Sequence, residues 1–245
     1  MPRFKHLYLK FVMWCGNWYF RGEKRYKLIF SHIFTAHPDE VVLKYAFDFI
    51  AHNQVEGEYL EFGVWKGRSF NRAYNIWKYV SATTKKLGGM NFYAFDSFQG
   101  LPKISGSQDT KSTEFLEGQY FCSVKNFKKN LASNSVDMKR VQIVPGWYEE
   151  VLNDTTRKII PLRKASIIFI DCDLYESAVT VLNFITPYIT DGTIIIFDDW
   201  FCFKGSPDTG ERKAFGDWIK RNPSLSYTEF ARFNWRGNSF IIHKK

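Results

Sequence analysis

From residue 58 onward the chain repeats one pattern, a short run of apolar residues on successive positions followed by a helical segment. The runs are Tyr59–Val64, Phe92–Phe95, Val141–Val144, Ser166–Ile170 and Thr193–Phe197. A strand with one wet face alternates apolar and polar residues, whereas a run that is apolar throughout suits a strand covered on both faces. Helical spacing marks Asp39–Asn53, Ser69–Val80, Val124–Ala132, Ser177–Ile189 and Arg212–Lys220. Strands alternating with helices predict an α/β fold with a mainly parallel, doubly wound sheet. Two last runs, Tyr227–Phe233 and Ser239–His243, are close enough to pair as a C-terminal antiparallel hairpin.

The 245 residues suit one such domain, expected over 39–245, preceded by a basic, aromatic helical extension over 1–38. Of the formal charge of +9, residues 1–27 carry +6, from seven cations and the single anion Glu23. The rest of the chain is not notably basic, so a nucleic-acid partner is not expected. Phe4, Leu7, Tyr8, Phe11, Trp14, Cys15 and Trp18 form an apolar stripe at helical spacing. Three roles fit it: packing on the domain, a dimer contact or lid at the acceptor site, and a helix lying on a membrane surface. Cys15, Cys122, Cys172 and Cys202 show no metal-finger spacing, which suits a reducing compartment. No run reaches the roughly 18 apolar residues of a membrane span, and no small-residue cleavage site follows Phe11–Phe20, so the chain is expected to be cytoplasmic.

Chemistry concentrates where the strands end. After the first comes Glu61-Phe-Gly63-Val-Trp-Lys-Gly67-Arg-Ser69, a glycine turn leading into a helix. Such a turn lets the backbone approach a ligand and offers free N–H groups to an anion, although a plain structural turn looks the same. Asp96 ends the second strand, where a Rossmann-like fold places an acid on a ribose diol; the alternative is an Asp that caps its own loop. Pro145-Gly146-Trp147 follows the third strand, where Trp147 either flanks an adenine or packs in the core. Most informative are Asp171-Cys172-Asp173 after the fourth strand and Asp198-Asp199 after the fifth. Four carboxylates on one sheet edge repel and raise each other's pKa unless a cation neutralises them. Oxygen donors without His or Cys favour magnesium or a similar hard ion, while the bland alternative makes Asp173 a helix cap.

Together Glu61–Ser69, Phe95-Asp-Ser-Phe-Gln-Gly-Leu-Pro102, Asp171-Cys-Asp-Leu-Tyr-Glu-Ser177, Ile196-Phe-Asp-Asp199 and Gly210-Glu-Arg-Lys-Ala214 resemble the macrocin O-methyltransferase family. The resemblance implies a Rossmann-like class I methyltransferase that uses S-adenosylmethionine and magnesium to methylate a sugar hydroxyl. It implies metal ligation by Asp171, Asp198 and Asp199, with Asp173 as general base. The expected cofactor-binding set is Glu61, Gly63, Gly67, Asp96, Ser97, Gly146, Trp147 and Asp171. Cys172 stands where the family is expected to have glycine, and Gln99 replaces a glutamate.

The chemistry suits those residues. An alkyl hydroxyl is barely ionised at neutral pH, so displacement at a sulfonium needs a base and a nearby cation. Two vicinal sugar oxygens beside the cation would also orient the acceptor. Two rivals remain: a catechol-type metal-dependent O-methyltransferase, and a non-catalytic nucleotide-binding module. Asp198-Asp199, where catechol enzymes tend to have Asp-Asn, favours the sugar.

Overall fold

The structure is a computed structural model and describes residues 38–84, 87–103 and 115–245. The N-terminal stripe and its three candidate roles lie outside these residues. The helix α1 spans Pro38–Asn53, followed by β1 (Glu58–Phe62), α2 (Arg68–Thr83), β2 (Phe92–Asp96), α3 (Val124–Ser133) and β3 (Val141–Pro145). Two short helices, α4 (Tyr148–Val151) and α5 (Asp154–Ile159), precede β4 (Ala165–Ile170). The chain then forms α6 (Tyr175–Ile185), β5 (Ile189–Phe197), α7 (Gly210–Arg221), β6 (Leu225–Phe233) and β7 (Gly237–Lys244).

The strand order is β3-β2-β1-β4-β5-β7-β6. The pairs β1–β2, β2–β3, β1–β4 and β4–β5 are parallel, and β7 closes antiparallel on β5 and β6. This is the expected Rossmann-like sheet with its C-terminal hairpin. Chain direction across the sheet reverses between β1 and β4, so a crevice opens beyond their carboxyl ends, where ligands bind in folds of this kind.

Period-two geometry sends alternate strand residues to opposite faces. Tyr59, Ile167, Phe169, Ile194 and Ile196 pack with Val42, Phe47, Phe70 and Phe127 from α1, α2 and α3. Leu60, Phe62, Ile168, Ile170, Ile195 and Phe197 pack with Val181, Phe184, Phe215 and Trp218 from α6 and α7. All six residues of β4 are buried, as its unbroken apolar run requires.

Two boundaries move by four residues from those expected from the sequence. The helix expected over 177–189 ends at Ile185, and a single 3-10 turn over Thr186–Tyr188 follows. Pro187 has no N–H for a further helical bond, which stops the helix there. Ile189 therefore begins β5, four residues before the expected Thr193. The short helices α4 and α5 carry too few turns to show a period.

Candidate active site

Strand register aligns a row of residues at the carboxyl edge. Phe62 pairs with Phe95 and Ile170, and Ile170 with Phe197. The Asp171 N–H donates to Phe62 O at 2.8 Å and the Asp198 N–H to Ile170 O at 3.0 Å. Gly63, Asp171 and Asp198 are thus neighbours across the switch point. Gly63 has φ 85°, and a Cβ there would lie 1.7 Å from the Asp171 carbonyl oxygen, so this crossing excludes any side chain.

The acid row bounds a cleft of about 160 Å³ whose walls include Gly63, Trp65, Asp96, Ser97, Trp147, Asp171, Asp173 and Asp198. Asp173, Asp198 and Asp199 are buried and Asp171 is partly buried. Asp171, Asp173 and Asp199 each offer an oxygen within 4.8 Å of the others. Burial, then the charges of Asp198, Asp199 and Asp173, hold Asp171 well above the usual carboxylate range. Burial and the facing Asp199 do the same to Asp173, and burial with Asp199 pushes Asp198 up to about 7. Arg236 answers this crowd from within the protein. Arg236 donates from Nη1 to Asp199 Oδ1 at 2.9 Å and from Nη2 to Asp198 Oδ2. Asp198 Oδ1 and Asp199 Oδ2 remain buried without a hydrogen-bond partner in the protein. Oxygen donors only, crowded together with two oxygens unmet, fit a hard divalent cation.

Residues 39–215, well over half of the chain, match the macrocin-O-methyltransferase (TylF) family. The chain belongs to that family. It is 25% identical over 164 residues to an 8-demethyl-8-(2,3-dimethoxy-alpha-L-rhamnosyl)-tetracenomycin-C 4'-O-methyltransferase of Streptomyces olivaceus, covering 64% of this chain and 58% of that protein. It is 26% identical over 152 residues to a mycinamicin III 3''-O-methyltransferase of Micromonospora griseorubida, covering 60% and 56%. The match thus spans little more than half the length of these curated relatives. Among solved structures, the O-methyltransferase NovP superposes with TM-score 0.69 at 19% identity, covering 83% of this chain and 79% of that one. The calicheamicin methyltransferase CalS11 gives 0.63 at 18% identity, with 83% and 78% covered. These likenesses establish the shared class I O-methyltransferase fold.

Within this macrocin-O-methyltransferase fold, the residues singled out in the sequence divide into two groups. Gly63, Asp96, Ser97, Trp147, Asp171, Asp173 and Asp198 face the cleft. Trp147, whose alternative was the core, is among its walls. Glu61 is not. Its side chain is fully buried, accepting from Ser69 Oγ at 2.6 Å and from the Tyr59 hydroxyl, and burial pushes it up to about 8. Asp199, Gly67 and Gly146 also stand behind the walls: Asp199 is buried against Arg236, and Gly67 has φ 78° at the start of α2, where a Cβ would strike Phe127 at 2.8 Å.

Asp96 does more than face the cleft. Its Oδ2 accepts the N–H groups of Val64 and Trp65 at 2.8 and 2.9 Å, and its Oδ1 that of Phe98 at 2.6 Å. A carboxylate offers about four lone-pair sites, so one is left for a ligand. Asp173 does not cap α6. It has φ 62°, and Leu174 occupies the cap position without a side-chain bond. The acid cluster expected to hold metal differs by one member from the tightest trio, in which Asp173 stands and Asp198 does not. Arg236 grips both Asp198, outside that trio, and Asp199, within it.

Arg236 and Glu211 had no assigned role in the sequence reading. Glu211 is fully buried under the acids and accepts the N–H groups of Asp199 at 3.0 Å and Cys172 at 3.4 Å. A signal for Arg236 existed in the hairpin. Once the last strand pairs antiparallel with β5, with Phe197 opposite Asn238, the residues just before Asn238 fall beside Asp198 and Asp199.

Proposed function

We propose that the chain is an S-adenosylmethionine-dependent, magnesium-dependent O-methyltransferase acting on a sugar hydroxyl of a glycoside, polysaccharide or glycolipid. The observation that carries this reading is the acid row at the switch point, with buried Asp198 and Asp199 oxygens lacking partners, in a member of the macrocin-O-methyltransferase family. Two relatives named for methylation of a rhamnosyl-tetracenomycin and of mycinamicin III support a glycoside acceptor.

Gly63, Asp96 and Trp147 would hold the cofactor, the last lone-pair site of Asp96 being free to accept from a ribose hydroxyl. Bound there, the cofactor supplies an electrophilic methyl group on sulfur. Asp171, Asp198 and Asp199 would hold a divalent ion, whose charge would offset their mutual repulsion and lower the pKa of a nearby hydroxyl. Asp173 takes the proton of the acceptor hydroxyl on a carboxylate oxygen. Loss of that proton would leave the hydroxyl oxygen able to accept the methyl group, with the neutral thioether as the leaving group. The left-handed backbone at Asp173 sets this base apart from the helix that follows. Partly open walls at Trp65 and Tyr120, whose rings meet edge to face at 5.6 Å, offer an apolar side to a sugar ring.

Calorimetric titration with S-adenosylmethionine, followed by a methyl-transfer panel of rhamnosides and catechols, tests the reading. Cofactor binding and transfer to rhamnosides are expected. Catechol turnover without rhamnoside turnover would replace the acceptor class, and absence of cofactor binding would end the enzyme reading.

A further inference from the structure

Arg236 is fixed at both ends. It sits in the turn between β6 and β7, where its N–H donates to Asn234 Oδ1 at 2.6 Å and its carbonyl accepts from the Phe201 N–H at 2.7 Å. Its guanidinium then reaches two adjacent carboxylates with one nitrogen each. Both acids keep their second oxygen buried and unpartnered. The arginine lies beyond the stretch that matches the family, 39–215.

A guanidinium is a planar fork whose donors hold two oxygens in a set relative orientation, which a lysine ammonium cannot do. Gripping Asp198 Oδ2 and Asp199 Oδ1 leaves Asp198 Oδ1 and Asp199 Oδ2 as the free donors of the pair. It also places one permanent positive charge among Asp171, Asp198 and Asp199, which reduces the repulsion of bringing them together. Groups that hold the outer oxygens of ligating carboxylates orient them and tune metal affinity.

We propose that Arg236 is a positioning residue for a divalent-cation site, presetting the Asp198 and Asp199 oxygens that face the ion. This rests on the metal reading above and adds to it a residue outside the acid set. The opposite role is a guanidinium that occupies the ion's place and competes with it, and the two differ in sign.

The test is Mn2+ binding to the full chain, without cofactor or acceptor, read as free Mn2+ by electron paramagnetic resonance. Arg236→Gln removes fork and charge, and Arg236→Lys keeps the charge alone. Asn234→Gly loosens the turn while leaving every charge in place and tolerating the positive φ of that position. The dissociation constant should rise about 10–100-fold in Arg236→Gln, less in Arg236→Lys, and by a few-fold in Asn234→Gly. S-adenosylmethionine affinity, measured in the same preparations, should stay within about twofold, which a general loss of structure would not permit. If Arg236→Gln does not fold, Arg236→Lys and Asn234→Gly decide. Unchanged or tighter Mn2+ binding in the variants, with the wild type binding normally, overturns the Arg236 proposal alone. A wild type that binds no Mn2+ ends the metal reading and this proposal with it.

Discussion

The Glu211 carboxylate accepts the backbone N–H of Asp199 at 3.0 Å from beneath the cleft, and its other oxygen accepts that of Cys172 at 3.4 Å. One side chain on α7 thereby ties together the ends of β4 and β5, the two strands that deliver all four aspartates. Burial and the charge of Asp199 hold Glu211 well above the ordinary carboxylate range. A glutamine keeps only one of the two acceptors, so Glu211→Gln leaves one buried N–H unpaired and alanine leaves two, at roughly 1–3 kcal/mol each. Thermal melting should place Glu211→Gln between the wild type and Glu211→Ala, the alanine variant lower than wild type by about 4 °C or more. Equal melting of both variants would remove the strap role.

Asp96 performs the equivalent service for β1, since three backbone N–H groups of the Gly63 and Ser97 turns converge on it. Asp96→Ala should lose the turn that carries the cofactor as well as the ribose contact. Calorimetry should show S-adenosylmethionine binding weaker by at least about tenfold, the scale of one lost charged hydrogen bond. Unaltered affinity would show that the turn holds without it.

Glu61 makes stability depend on pH. Its folded pKa of about 8 lies above the ordinary 4.5. Between those values the folded state holds a proton that the unfolded state has released. Its contribution is fully present below pH 4.5 and is lost as pH rises through 8. Denaturant unfolding in chelator should show wild-type stability falling between pH 5 and pH 8.5, and Glu61→Gln falling less over the same range. Parallel curves would mean that Glu61 is ionised inside the fold.

The sheet and half of the site were legible in the sequence for the same reason. The apolar run Ile167–Ile170 suits a strand covered on both faces, and the acid that follows it emerges at the sheet edge. That placed Asp171 and Asp198 correctly. Glu61 was misplaced because the glycine motif drew it into the ligand loop. Its position two residues after Tyr59 puts both on one strand face, where the tyrosine hydroxyl reaches it. Arg236 was illegible for a different reason. Its role depends on the register between β7 and β5, a contact 37 positions distant from Asp199 that no local pattern encodes. The start of β5 was hidden by Thr190-Asp191-Gly192, whose polarity resembles a turn although Thr193 Oγ1 bonds the Ala165 carbonyl of the neighbouring strand at 2.7 Å.

The division of labour among the acids can be separated by substitution. Asp173→Asn keeps size and polarity but cannot take the proton, so methyl transfer should slow by about 10²–10⁴ while Mn2+ affinity changes little. Asp171→Ala, Asp198→Ala and Asp199→Ala should each weaken Mn2+ binding and abolish transfer together. Loss of Mn2+ in Asp173→Asn would make Asp173 a ligand and return the trio of Asp171, Asp173 and Asp199 as the metal set.

The central claim is that the acid row at the switch point carries out cation-dependent methyl transfer to a sugar. Its most direct test is transfer of a labelled methyl group from S-adenosylmethionine to a rhamnoside with free vicinal hydroxyls, using protein stripped by chelator. Transfer should be lost in excess chelator and return when magnesium is added in excess over it. Equal transfer with and without chelator would contradict the claim.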